Sequence, residues 1–210
     1  MNVGAGPSAW YGTGLHDLRS VTKSIVSLLY GMALADGLVP GLDESLIDQF
    51  PVHADLAADP RRRKILVRHA LSMQMATEWS EDLPYTDPRN SEIAMEMAAD
   101  RYRYFLDRPM VGEPGGGWTY NGGATSVIAG LIAKGVGKPI DVYARETLFA
   151  TLGIERFEWF VGSDADHQRD AQPGDAYHLL PDRHARAFAA AFIEEFQHVI
   201  SPGVRLLTAP

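Results

Sequence analysis

Hydrophobic positions recur most regularly near the start of the chain, where Val21, Ile25, Leu28, Leu29, Met32 and Ala33 follow one another largely at three- and four-residue steps. This period puts them on one stripe and predicts a helix over about residues 18–36, with Asp17 as N-cap and Gly37 in the left-handed position that closes it. Pro40, Gly41, Pro51 and Pro60 then interrupt the pattern, so loops are expected over 38–60, with a short helical turn at 44–49. Residues 64–75 return to a helical period and give way to a polar, turn-rich stretch at 81–90. Residues 91–106 set Ile93, Met97 and Tyr104 on one side of a further helix, closed by Pro109.

Residues 112–123 show no period. They hold six glycines and Pro114 around Trp118, Thr119 and Tyr120, a composition suited to unusual backbone angles or to close approach by a neighbour. An apolar helix over 124–134, a turn at 135–139 and a helix capped by Asp141 and running to about Leu152 are expected next. Composition shifts after Phe160. Residues 162–175 are polar and read as a linker, and 182–200 predict an amphipathic helix with Phe188, Phe192, Phe196 and Val199 on one face. Strand signal is confined to 157–161 and 204–207. The expectation is a mainly α chain with little or no sheet, organised as 1–160 and 161–210 and free of internal repeats.

The chain has 210 residues, 46% of them hydrophobic and 22% charged, enough to support a core that buries roughly 70% of the unfolded surface. With no cysteine, thiolate nucleophiles and Cys-based metal sites are excluded, leaving hydroxyl, carboxylate, imidazole and amine groups for any chemistry. The formal charge is −8, and Arg61, Arg62, Arg63 and Lys64 form the only basic run, a poor footprint for nucleic acid. No stretch reaches roughly 18 uninterrupted apolar residues, and residues 1–10 carry neither a basic nor an apolar leader region. A cytoplasmic chain with no membrane association is therefore expected.

Ser20 and Lys23 open the first predicted helix three residues apart, which brings a hydroxyl and an amine to neighbouring positions of one face. Such an amine can take the serine proton once it is uncharged; moving an ordinary lysine from about 10.4 towards 7 requires about 4 to 5 kcal/mol, normally from burial. The first helical turn also offers backbone N–H groups to a developing oxyanion. The spacing alone is unspecific, because a Ser followed three residues later by Lys arises about once by chance in a chain of this length. Tyr120, in its glycine-bracketed loop, adds a phenol suited to proton relay. A helix-capping serine, an exposed lysine and a tyrosine packed beneath a turn are the alternatives at this point. The seven histidines lack a metal-binding pair and read as surface or capping residues, and Glu81, Asp82 and the acidic run at 164–170 read as solvated loops.

The segment LRSVTKSIVSLLYGMALADG resembles the nucleophile helix of penicillin-recognising serine hydrolases, in particular the class C β-lactamase-like esterases and carboxypeptidases. The similarity continues through ILVRHALSMQMATEWSED, LPYTDPRNSE, PGGGWTYNGG and RETLFATLGIERFEW, covering roughly residues 15–160 in order. The resemblance implies Ser20 as acylated nucleophile, Lys23 as general base and Tyr120 as first residue of a Tyr-x-Asn element, with Asn121 and Gly122 as substrate-binding candidates. It also implies a helical region beside an antiparallel sheet, no metal or organic cofactor, and a small-molecule ester, amide or β-lactam substrate.

Three departures accompany it. Gly122 stands where the pattern has Asn or Ser, Met73, Gln74 and Met75 replace small residues, and no Lys-Thr-Gly or His-x-Gly comes after Tyr120. The resemblance implies that the third element donates an oxyanion N–H, and loss of one such donor costs about 10²- to 10³-fold in rate, about 3 to 4 kcal/mol. A start only some twenty residues before Ser20 fits a truncated relative. The alternative expectation is thus an inactive remnant that binds or self-associates through exposed apolar surface.

Overall fold

The first predicted helix is present as α1, Val21–Ala35, in the computed structural model of the chain, which describes residues 18–159. After it come α2 (Val67–Leu71), α3 (Ser91–Glu96), α4 (Arg101–Leu106), α5 (Gly122–Val136) and α6 (Ile140–Ala144). Short 3₁₀ turns at Ile47–Gln49, Pro51–Ala58 and Arg62–Lys64 carry the chain from α1 to α2, and a π-turn, Arg145–Phe149, extends α6. The expected cap Asp17, linker 162–175, helix 182–200 and strand 204–207 lie outside the described residues. Among the described residues β pairing is limited to two isolated antiparallel bridges, Ser45 with Leu66 and Thr77 with Met110. The described chain is mainly helical, with almost no sheet.

α5 is the central element, with Val127, Ile128, Leu131 and Ile132 buried, and α1, α2 and α6 pack against it. α1 brings Ile25, Leu28, Leu29 and Ala33 to the core, where each large apolar side chain contributes about 1.5–3 kcal/mol. Both long helices end as the sequence predicts for α1. Gly37 and Gly137 each adopt φ +68°, a conformation that costs glycine little, and the Gly137 N–H donates to the Ala133 carbonyl at 3.0 Å. At the other end of α5, a Cβ on Gly123 would lie 2.6 Å from the Trp79 ring and 2.8 Å from Met95 Sδ. The first turn of α5 is therefore seated directly on aromatic and sulfur side chains.

Three boundaries differ from the sequence expectation. Residues 64–75 are not one helix: Ile65 and Leu66 are extended because Leu46 N–H donates to the Ile65 carbonyl at 2.8 Å and Val67 N–H to the Glu44 carbonyl at 3.0 Å. α2 then stops before Met73 and Ala76, which hold φ of 56° and 57°. Residues 91–106 divide into α3 and α4 because the Asp100 side chain accepts from Arg103 N–H at 2.8 Å and starts a new helix. Asp141 falls inside the first turn of α6, where Pro139 occupies the N-cap position.

Each member of the basic run has an acidic or carbonyl partner. Arg61 pairs with Asp59 at 2.7 Å, Arg63 with Asp48, and Lys64 with Glu113 at 3.1 Å. Arg62 is buried and donates to the carbonyls of Leu106, Asp107 and Arg108, satisfying the end of α4.

Candidate active site

Ser20 occupies the N-cap position of α1 with helical backbone angles, φ −64° and ψ −13°, behind Arg19 at φ +43°. Its side chain makes no capping bond to the helix. Ser20 Oγ instead lies 2.7 Å from Tyr120 Oη, a hydrogen bond joining positions one hundred residues apart. Lys23, one turn into α1 and partly buried, sets its Nζ 5.2 Å from the centroid of the same tyrosine ring. The structure thus brings the predicted hydroxyl, amine and phenol together, the hydroxyl at the phenol oxygen and the amine over the ring. The first turn of α1 is less open to an oxyanion than the sequence suggests. The N–H groups of Val21, Thr22 and Lys23 already donate to the carbonyls of Leu18, Arg19 and Ser20 at 2.9–3.1 Å.

Tyr120 is aimed by the two residues next to it in the chain. Asn121 is buried, and its side-chain oxygen accepts from Ala124 N–H at 3.0 Å, capping α5. Gly122 N–H donates to Glu81 Oε1 at 2.6 Å. Both residues expected to meet substrate are engaged within the protein, one by its side chain and one by its backbone. Before the phenol, Trp118 is 65% exposed with its ring 6.2 Å from that of Tyr120.

Glu81, expected as a solvated loop residue, is part of this assembly. Trp79 Nε1–H donates to Glu81 Oε1 at 2.7 Å and Tyr85 O–H to Glu81 Oε2 at 3.2 Å. Glu92, in the first turn of α3, lies so close to Gly122 that a Cβ there would strike its carboxyl group. Burial, and secondarily the charge of Glu81, push the Glu92 carboxyl up to about 8, while Lys23 pulls it back. Neither carboxylate is marked by spacing in the sequence. The only local signal is that Glu81 lies two residues after Trp79, which lets a side-chain acceptor meet an indole N–H.

The described histidines take structural positions. His69 Nδ1 accepts from Leu66 N–H at 3.1 Å at the start of α2, and His53 is buried with Nε2 3.5 Å from Asp100. His16, His167, His178, His184 and His198 lie outside the described residues. Residues 157–159 of the first expected strand form none: the Phe157 ring packs 4.6 Å from Phe149 and lies beneath Arg145.

Among the described residues, a helical fold thus holds a serine hydroxyl on a phenol beside a lysine amine. The family model described as Beta-lactamase matches residues 4–196, and the chain belongs to that family. Among solved structures, a penicillin binding protein from Bacillus halodurans is similar with TM-score 0.60 and 15% identity, over 93% of this chain and 66% of that one. D-amino acid amidase from Ochrobactrum anthropi SV3, complexed with L-phenylalanine, gives TM-score 0.58 and 20% identity over 86% and 57%. A protein from Bacteroides dorei DSM 17855 gives 0.59 and 18% over 93% and 53%. The chain therefore spans between 53% and 66% of the lengths of these three. No curated protein matches it.

Proposed function

We propose that the chain acts by acyl transfer to Ser20 on a small-molecule ester, amide or β-lactam carbonyl, with hydrolysis as the second step. The observation that carries this reading is the 2.7 Å contact between Ser20 Oγ and Tyr120 Oη with Lys23 over the same ring. Ser20 Oγ attacks the carbonyl carbon while its proton leaves through Tyr120 towards Lys23, the general base. As the tetrahedral intermediate collapses, Tyr120 returns a proton to the departing alkoxide or amine. Water then attacks the acyl ester, giving its proton to the same pair, which passes it to Ser20 Oγ as the acyl–Oγ bond breaks and the acid leaves. Asn121 and Gly122 serve this chemistry by placing Tyr120, through the cap and the bond to Glu81 respectively. The reaction invokes no metal or organic cofactor. No helix among the described residues is long and apolar enough to cross a membrane.

A second reading, a member of the family that binds or self-associates without turnover, is favoured by one feature. No Lys-Thr-Gly or His-x-Gly comes after Tyr120, and the bridges among the described residues do not bring a strand to Ser20. One missing oxyanion donor slows the chemistry by about 10²- to 10³-fold. Incubation with a fluorophosphonate or a fluorescent penicillin, and then intact mass, separates the two. A covalent adduct that disappears in Ser20→Ala supports acyl transfer; a folded chain that gains no adduct supports the second reading.

A further inference from the structure

Behind Tyr120, three segments distant in sequence meet at one amide. The N–H of Gly122, two residues past the phenol, is held by Glu81 Oε1 at 2.6 Å. The same oxygen is fixed by the Trp79 indole at 2.7 Å, and the other carboxyl oxygen by Tyr85. Glu92 closes the group: its own N–H donates to Asn90 Oδ1 at 3.0 Å, and its carboxyl lies against Gly122, the residue whose N–H Glu81 holds. Two carboxyl groups that converge on one glycine sit together when one carries a proton, since like charges in contact repel.

We propose that Glu81, with Glu92 as its proton-sharing partner, is a positioning residue for Tyr120, setting the phenol on Ser20 as long as the pair retains one proton. The inference rests on the acyl-transfer reading above. The groups facing Glu92 are Glu81 from the loop before α3, Lys23 from α1, Glu96 from α3 itself and the Tyr85 phenol. When Glu92 ionises, the pair is pushed apart and the hold on Gly122 loosens, which acts against attack by Ser20 by releasing the phenol from its place. The midpoint lies at about 8, because burial disfavours the Glu92 anion.

The test tracks the Gly122 amide resonance of the ¹⁵N-labelled full chain between pH 6 and 10, in parallel with the rate of fluorophosphonate labelling of Ser20. In the wild type the resonance should inflect at about pH 8, with labelling falling above it. Glu92→Gln, which keeps a donor and cannot ionise, should remove the inflection and preserve labelling on the alkaline side. Glu81→Ala should lower labelling by about tenfold to a hundredfold at every pH, with Glu81→Gln, which retains an acceptor, restoring most of it. A Gly122 resonance that does not titrate, or a Glu92→Gln profile identical to the wild type, overturns the proposal. A wild type that shows the inflection but is never labelled instead overturns Ser20 as nucleophile and supports the hold of the pair on Gly122.

Discussion

Replacing Tyr120 by Phe deletes a single oxygen and leaves the ring, its neighbour Trp118 and the Lys23 contact in place. Ser20 Oγ then loses its partner at 2.7 Å and, in the proposed mechanism, the route by which its proton leaves. Positioned proton transfer contributes about 10²- to 10⁴-fold, which at 1.36 kcal/mol per decade is about 3 to 5 kcal/mol on the barrier. The effect on stability should be far smaller, because the bond joins a half-buried phenol to an exposed serine and such bonds contribute about 0.5–1.5 kcal/mol. Tyr120→Phe should therefore fold with a nearly unchanged urea midpoint while Ser20 is labelled by fluorophosphonate at least about a hundredfold more slowly, read by intact mass against time. Labelling within about threefold of the wild type, in a variant with an unchanged circular dichroism spectrum, would refute the role assigned to the phenol.

Three further outcomes test the frame around the site. Arg62→Met keeps the volume of a buried side chain but strips three carbonyls of their donor, and should lower unfolding free energy by about 2–4 kcal/mol in urea titration. Gly123→Ala forces a methyl group onto Trp79, Met95 and Phe105 and should cost about 1–3 kcal/mol, with a perturbed near-ultraviolet spectrum from the displaced indole. Glu92 is protonated in the folded chain up to about 8 but releases its proton near 4.5 when unfolded, so the folded state binds more protons between those values. Its stabilising contribution is complete below about 4.5 and is lost as pH rises towards 8; Glu92→Gln should flatten that decline in thermal melts.

The parts of the molecule legible in the sequence are those decided within a few residues. α1 and its glycine stop arise from a repeat of apolar side chains and a left-handed position, and both stand in the structure. Ser20, Lys23 and Tyr120 are readable as residues, and the structure adds that the serine faces the phenol rather than its own helix. Long-range backbone bonds decide the rest. Residues 64–75 carry a helical pattern, yet pairing of Leu46 and Glu44 with the 65–67 backbone keeps Ile65 and Leu66 extended. Glu81 lies beyond sequence reading for the same reason: its chief partner, the Gly122 amide, is forty-one residues away.

That the Ser20 side chain supports no part of α1 has a consequence for how this chain can change over generations. On the acyl-transfer reading, Ser20→Ala removes the nucleophile while the scaffold gives up only the bond to Tyr120. Selection for a well-folded chain therefore gives this alcohol little protection, and under the proposed function it is the demand for its chemistry that keeps it there.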